Sequence, residues 1–155
     1  RLADDLSKMN IVAKFIMVGQ PASSVNWQRQ LEQRIGEVRQ LSYLGGQTVE
    51  EVNSLLAESH IMVNTSLYEG FSNTFIQAWM RGVPVVSLNS NPEGLLDSKH
   101  MGYISGSYEK LCRDVLCLIR DDSLRSDMGN RAVNYARRYF SMENVSVIKK
   151  ILMDS

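Results

Sequence analysis

The 155-residue sequence predicts an α/β domain in which a parallel sheet of about five strands is covered by helices on both faces. Short apolar runs alternate with segments of helical periodicity, and this alternation is typical of parallel strands joined by right-handed crossovers. The run from Ala13 to Gly19 is almost continuously apolar, as strands buried on both faces are. Because no linker or repeat interrupts the pattern, we expect a single three-layer domain over residues 1–155.

Composition limits the partners that this protein is expected to have. The 17 Lys and Arg residues balance the 17 Asp and Glu residues, so no net field attracts nucleic acid or an anionic membrane. No apolar run approaches the roughly 18 residues that a membrane-spanning helix needs. Cys112 and Cys117 stand five apart in a helical pattern, where they point to different faces. We expect buried structural thiols in a reducing compartment, which favours a cytoplasmic protein.

Helix and strand patterns alternate through the first half of the chain. The predicted elements are a helix at 1–9, a strand at 13–19, a polar helix at 27–35, a strand at 39–44, a helix from 48 and a strand at 61–65. Thr48 and Glu51 have the spacing of a capping box, in which each side chain accepts a hydrogen bond from the backbone N–H of the other residue.

The second half continues the same alternation. Its predicted elements are a helix from about 73, a strand at 83–88, a turn-rich loop at 89–96, a strand at 102–104, a helix at 108–120, a helix capped by Asp122 or Ser123, and a last helix from Ser141. Gly82 can end its helix in a left-handed conformation, and Pro84 can only begin a strand.

The chemistry of the chain is predicted to lie in the turn between the third strand and the helix from Asn73. A strand, a short polar turn with glycine and a helix start together aim free backbone N–H groups at a negatively charged ligand. Ligands of parallel sheets bind beyond the carboxyl ends of the strands. We expect that edge to gather the loops that follow the strands, so that Glu69 and Glu93 face one crevice.

The residue types around Glu69 favour a ligand with a phosphate and several hydroxyls. A carboxylate at a helix start has a plain structural explanation, since it stabilises the helix by about 0.3–1 kcal/mol. Gly70, however, allows close backbone approach, and the N–H groups of residues 72–74 offer a place for a phosphate. Gln77 lies one turn into the helix, leans towards the same point and can both donate and accept. The combination suits a sugar nucleotide.

The stretch from Glu69 to Ala78, followed by Gly82–Val86, resembles the donor-site signature of family 4 glycosyltransferases. These are retaining enzymes of the GT-B fold, and the resemblance implies their carboxyl-terminal half, a Rossmann-like domain that binds the nucleotide-sugar. The similarity runs through nearly the whole chain. Further landmarks of that domain fall at 15–19, 38–45, 92–96, 102–104, 128–132 and 140–143.

The resemblance also implies roles for individual residues. Glu69 matches the first motif glutamate, which contacts hydroxyls of the donor sugar, and we predict that it is the catalytic residue. Gln77 takes the place of the second glutamate, which usually holds the ribose, while the amides after Glu69 would bind the diphosphate and the loop after Leu44 would lie against the base. The predicted nucleotide-binding residues are Leu44, Gly45, Gly70, Phe71, Ser72, Asn73, Thr74, Gln77 and Glu93. No metal and no cofactor besides the nucleotide-sugar substrate is expected.

The resemblance further implies a partner half. The family's domain begins with a strand followed by an arginine and a lysine that neutralise the diphosphate, and this chain begins after them. We therefore expect a fragment of a two-domain enzyme that does not catalyse transfer by itself. The other half would bind a glycan or glycolipid acceptor and would carry any peripheral attachment to a membrane.

The absent strand bears on the sheet as well. We expect the strands at Phe15 and Ile61 to pair directly, in the order 2-1-3-4-5, because pairing restores backbone hydrogen bonds that burial would otherwise leave unmade. The alternative is a pair of open edges that recruit a second copy of the chain.

Two alternatives to a retaining transferase stay open. One is a GT-B epimerase acting on a UDP-sugar, whose expected site is richer in histidine and carboxylate pairs than Glu69 and Glu93 provide. The other is a non-catalytic nucleotide-binding or interaction module of the same fold, which the replacement by Gln77 makes credible. Neither a Gly-x-Gly-x-x-Gly nor a Walker sequence occurs, which argues against NAD and P-loop chemistry.

Overall fold

The structure is a computed structural model that describes residues 1–20, 24–66 and 71–141. The chain divides into two compact units, residues 1–54 and 55–155. Strands and helices alternate in both units, and every strand pair is parallel. The predicted α/β class, with parallel strands joined through helices, is therefore confirmed.

The N-terminal unit is built around a two-stranded sheet. Its elements are α1 (Leu2–Lys8), β1 (Phe15–Met17), α2 (Val25–Gly36) and β2 (Leu41–Tyr43), followed by the start of α3 (Val49–Ala57). Phe15 pairs with Leu41 and Met17 pairs with Tyr43. Beyond the paired residues, the Gly19 N–H donates to the Gly45 carbonyl at 3.0 Å, which joins the two chain segments past their carboxyl ends.

The capping box at the start of α3 is confirmed. The Thr48 N–H donates to a carboxylate oxygen of Glu51 at 2.8 Å, and the Glu51 N–H donates to the Thr48 hydroxyl at 3.2 Å. The two side chains thus satisfy backbone donors that the first helical turn leaves unpaired.

We expect Thr48→Ala to lower the free energy of unfolding by about 1 kcal/mol, because the Glu51 N–H loses its acceptor. Urea denaturation measures the change. Ser54→Ala is the matched control on the same helix, since the Ser54 hydroxyl only donates back to the Glu50 carbonyl at 3.0 Å, a bond that slightly destabilises helices. Equal losses in the two variants would contradict a specific role for the cap.

The C-terminal unit contains a three-stranded sheet in the order β3-β4-β5. Its elements are β3 (Met62–Asn64), α4 (Asn73–Met80), β4 (Val85–Ser87), a 3₁₀ turn (Pro92–Gly94), α5 (Leu95–Ser98), β5 (Gly102–Ile104), α6 (Tyr108–Arg120) and α7 (Asp122–Phe140). Asn64 pairs with Ser87, and Ser87 pairs with Ile104, so the three strands end at one edge.

The core of this unit lies around β4. Val85, Val86 and Ser87 are each fully buried, and because successive residues of a strand point to opposite faces, the sheet is covered on both sides. Both α4 and α6 contact β4, and α7 packs along α4. Gly82 ends α4 with a φ of +68°, as its position predicts.

Two expectations about β1 are wrong. The strand is not covered on both faces, because Ile16 and Val18 are each 39% exposed. Among the described residues, β1 is hydrogen-bonded to β2 alone and β3 to β4 alone, so the order 2-1-3-4-5 does not form. The prediction of direct pairing assumed that β1 is buried. Because β1 is partly exposed, its free backbone groups can form hydrogen bonds with water instead.

Two local expectations are also corrected. The cap of α7 is Asp121, whose carboxylate accepts from the Leu124 N–H at 2.8 Å, and neither Asp122 nor Ser123. Cys112 is half-buried and Cys117 is exposed, although both were expected to be buried. The predicted last helix from Ser141 lies almost entirely outside the described residues.

The described helices include none that combines the length and the apolar character needed to cross a membrane.

Candidate functional site

The carboxyl edge of the three-stranded sheet is shaped by short side chains at the strand ends. The buried Asn64 side chain accepts from the Ser66 N–H at 2.7 Å, which turns the chain sharply after β3. The Leu88 N–H donates to the Asn64 carbonyl at 2.8 Å and extends the pairing of β3 and β4 by one residue. Both the side chain and the backbone carbonyl of Asn64 are thus engaged in hydrogen bonds at the end of β3.

The first turn of α4 is not capped by the side chain of the residue that precedes it. Ser72 is the residue before the helix, but its hydroxyl makes no capping hydrogen bond to the backbone and pairs instead with the Thr74 hydroxyl. The side chain that most often satisfies the first N–H groups of a helix is thus engaged elsewhere. A helix start whose N–H groups are not capped by its own serine retains the capacity to bind an anion.

Gln77 and Asn73 lie on the side of α4 away from the protein core. Phe75, Ala78 and Trp79 are buried, whereas Asn73 is exposed and Gln77 is half-buried. At 3.6 residues per turn, Asn73 and Gln77 share a face roughly opposite the buried one. Both side chains therefore lie on the outward face of α4.

The ring of Phe71 packs against the protein. Its centroid lies 6.2 Å from that of Trp79 and 5.4 Å from that of Phe140, in edge-on arrangements with both. Trp79 is completely buried, while Phe71 remains 38% exposed. Since the ring is committed to these contacts, the backbone of Phe71 is the part of this residue left for a ligand.

The loop after β4 is held by its own side chains. The Ser87 hydroxyl accepts from the Ser90 N–H at 3.1 Å, and the Asn91 carbonyl oxygen of the side chain accepts from the Leu96 N–H at 3.0 Å. The Asn91 amide also donates to the Asp97 carboxylate at 3.2 Å. These bonds fix a loop that has little regular structure.

Glu93 sits at the tip of this loop in a left-handed conformation. Its φ is +51° and that of the following Gly94 is +68°. Such a conformation is uncommon for a residue with a side chain, and Asn10 and His100 also adopt it in this chain. The pKa of Tyr135 in α7 is raised above its ordinary value mainly by burial, and further by the charges of Tyr139 and Glu93.

The remaining predicted site residues divide into two groups. Leu44 and Gly45 follow β2 in the N-terminal unit, where Leu44 is 43% exposed and Gly45 has a φ of +69°. Glu69 and Gly70, the centre of the predicted motif, lie outside the described residues. The other predicted residues, Phe71, Ser72, Asn73, Thr74 and Gln77, lie immediately before α4 or in its first turns.

Sequence reasoning missed the residues that brace the site. Asn91 could have been identified from the sequence, because Asn-Pro favours the start of a turn. Trp79 and Phe140 could not, because Phe71 precedes the helix that carries Trp79, so no helical spacing relates the two, and Phe140 is far from both in the sequence. Within residues 1–20, 24–66 and 71–141, no group of three or more His, Cys, Asp or Glu side chains could hold a metal ion.

Comparison with known proteins gives one family match. The family model described as glycosyl transferases group 1 matches residues 2–121. None of the curated proteins matches the chain.

Solved structures with a similar fold include three that are informative. HepE from Anabaena, crystallised with UDP, is 20% identical with a TM-score of 0.81, and the match covers 99% of this chain and 44% of HepE. TarM from S. aureus, in a complex that includes UDP, is 23% identical with a TM-score of 0.74, over 97% of this chain and 30% of TarM. The chain thus spans less than half the length of either protein.

The third structure covers only one domain. It is the C-terminal domain of LpcC, a group 1 glycosyl transferase from Francisella tularensis, and it is 16% identical with a TM-score of 0.68. The match covers 91% of this chain and 93% of that domain. At these identities the likeness shows the fold alone, which is that of a C-terminal domain of the GT-B type.

Proposed function

The chain belongs to the group 1 glycosyl transferases, and from this premise we propose that it is the donor-binding part of a family 4 enzyme that transfers a sugar with retention of configuration. The donor is a nucleotide-sugar such as a UDP- or GDP-sugar. UDP is the nucleotide in the complexes of HepE and TarM, which supports a nucleoside diphosphate as the ligand.

One observation carries the proposal. The N-terminal turn of α4 lies beyond the carboxyl end of β3, and the Ser72 hydroxyl does not cap it. The carboxyl edge of a parallel sheet is where such folds bind ligands, and an uncapped helix start attracts phosphate through its N–H groups and its dipole. In this proposal, the amides of Phe71 to Thr74 bind the diphosphate.

Side chains complete the proposed donor site. Glu69 contacts hydroxyls of the sugar, and Gln77 contacts the ribose from the outward face of α4. Gly70 lets the ligand approach the backbone, and Glu93 lies at the tip of the neighbouring loop. Leu44 and Gly45 contact the base. No metal or further cofactor is needed, because helix and backbone donors stabilise the charge of the leaving diphosphate.

The acceptor is proposed to bind elsewhere in the enzyme. A glycan or glycolipid acceptor would bind to another half of the protein, in the cleft that GT-B enzymes place between their halves. This chain alone would then bind the donor without transferring its sugar. We propose a cytoplasmic enzyme of polysaccharide or glycolipid synthesis, with any membrane attachment made by the other half.

Titration with UDP, GDP and ADP tests the proposal. One nucleotide should bind, with chemical-shift changes centred on the amides at the start of α4. Changes centred on residues 122–139 of α7 would contradict the site, and an absence of binding by all three nucleotides would contradict the function.

We expect Gln77→Leu to weaken nucleotide binding by about 1–2 kcal/mol, roughly 5- to 30-fold, because a ribose hydroxyl loses its hydrogen-bonding partner. Gln77→Glu is the matched control and should be tolerated, since a carboxylate also accepts from hydroxyls. Calorimetric titration of both variants measures the difference. An unchanged affinity in the leucine variant would show that Gln77 only contributes a polar tip to the helix surface.

A further inference from the structure

The contacts of the Phe71 ring point to a role that nucleotide contact does not explain. Phe71 precedes Ser72, the residue before α4, and an apolar residue at this place often packs on the fourth helical residue to set the angle at which the chain enters the helix. In α4 the fourth residue is Ile76. Phe71 packs against Trp79, three residues further along, so its ring lies against the side of the helix.

Phe71 also contacts Phe140, the last residue of α7. The Phe140 ring stacks on Trp79 with an interplanar angle of 24° and meets Phe71 edge-on with an angle of 61°. Edge-on and offset aromatic pairs stabilise contacts beyond the burial of their area. The ring of Phe71 is therefore held by two rings, one on each helix, and Trp79 is completely buried beneath them.

This arrangement links the end of α7 to the start of α4. The Phe75 N–H donates to the Ser72 carbonyl at 3.0 Å and closes the first turn of α4. If the chain before that turn is displaced, the direction of its N–H groups changes, and small displacements of binding groups have large effects on function. The aromatic contacts hold the side chain of Phe71, the residue before Ser72, and so restrain the backbone that enters this turn.

We propose that Phe71, held between Trp79 and Phe140, is a positioning residue that aims the first turn of α4 at a diphosphate. The end of α7 then contributes to nucleotide binding without touching the nucleotide. This inference rests on the proposed function, because it assigns the ligand of that turn to the donor nucleotide. This role explains why the Phe71 ring, which is 38% exposed, packs on the protein although it lies beside a polar helix start.

The test compares UDP with uridine, which lacks the phosphates. The 155-residue chain is titrated with each ligand and followed by NMR, for the wild type and for Phe71→Ala, Phe140→Ala and the double variant. We expect about a three- to tenfold loss of UDP affinity in each single variant, the range that one aromatic pair supports. Uridine affinity should stay within about twofold of the wild type, and the double variant should lose little more than either single one.

Two further variants separate positioning from general damage. Phe71→Tyr keeps the ring, so UDP affinity should return to the wild-type range. Tyr139→Ala is the matched control: Tyr139 precedes Phe140, is 50% exposed and contacts Tyr135 at 4.5 Å between centroids. It should leave UDP affinity unchanged. In the ligand-free protein, Phe71→Ala should also speed hydrogen exchange at the Phe75 amide, whereas Tyr139→Ala should not.

The outcomes separate the two claims. If the wild type binds UDP while Phe71→Ala binds it equally well, or loses UDP and uridine alike, the positioning role is wrong and the proposed function stands. If the wild type binds neither UDP nor another nucleoside diphosphate, the proposed function is wrong, and so is the role of Phe71 in nucleotide binding. Unchanged exchange at the Phe75 amide in Phe71→Ala would overturn the positioning role in either case.

Discussion

Glu69→Ala, in the proposed two-domain transferase, is expected to lower the rate of sugar transfer by about 10- to 100-fold. The proposed contact of Glu69 is a hydrogen bond from a sugar hydroxyl to a carboxylate, and bonds to charged groups contribute about 1.5–3 kcal/mol. A contact that strengthens as the transition state forms lowers the barrier and not only the dissociation constant. Affinity for the nucleotide without its sugar should change less than about twofold.

The measurement separates transfer from binding. The rate of transfer is determined with a saturating donor, and UDP or GDP affinity is determined by calorimetry on the same variants. Glu69→Gln is the matched control, because the amide keeps an acceptor but not the charge, so its loss of rate should be intermediate. Equal losses of transfer and of bare-nucleotide affinity in Glu69→Ala would give Glu69 a structural role. Full nucleotide binding with no detectable transfer by the wild-type enzyme would favour the non-catalytic module.

Gly129→Ala is expected to lower the free energy of unfolding by about 2–3 kcal/mol. In an isolated helix this change would be stabilising by up to about 1 kcal/mol. In α7, however, a Cβ on Gly129 would overlap the Gly82 carbonyl oxygen, so the backbone of α7 touches the backbone just after α4. The overlap cannot be relieved by rotating a side chain, and overpacking of this kind commonly costs about 1–3 kcal/mol or more. Replacing a helical glycine by alanine, which usually stabilises a helix, is thus expected to destabilise this protein.

Fluorescence can follow this change in one unit alone. The chain has two tryptophans, and Trp79 becomes the sole reporter of the C-terminal unit in a Trp27→Phe background. Gly36→Ala is the matched control: Gly36 ends α2, and a Cβ there would meet nothing within 4 Å. This control keeps Trp27 and is followed by circular dichroism in urea; it should be neutral or stabilising. A Gly129→Ala variant as stable as the wild type would show that α7 can move away from α4 without cost.

The parts of the fold that depend on neighbours in sequence were predictable. The capping box of Thr48 and Glu51, the left-handed end of α4 at Gly82, and the bounds of β5 and α6 follow from hydrogen bonds and backbone preferences within a few residues. The same holds for the helix start near Asn73, because the turn chemistry that ends one element and begins the next is local. The family resemblance also came from such a contiguous stretch.

The cap of α7 shows the limit of local reasoning. Asp121, Asp122 and Ser123 are all residues that can cap a helix, and the sequence does not distinguish between them. The choice of Asp121 follows from where α6 ends, since the Asp121 N–H also donates to the Cys117 carbonyl at 3.0 Å. One residue therefore ends one helix and caps the next.

By itself, the sequence determined the class of the fold, the order of its elements and the helix start that is proposed to bind phosphate, because periodicity and turn chemistry are local properties of the chain. Only the tertiary structure decided that β1 pairs with β2, that Gly129 meets Gly82, and that the rings of Phe71 and Trp79 meet that of Phe140. These contacts join residues that are distant in sequence, and they depend on how side chains share the space between helices. No pattern along a single chain encodes that sharing, since each position is compatible with several partners until packing selects one.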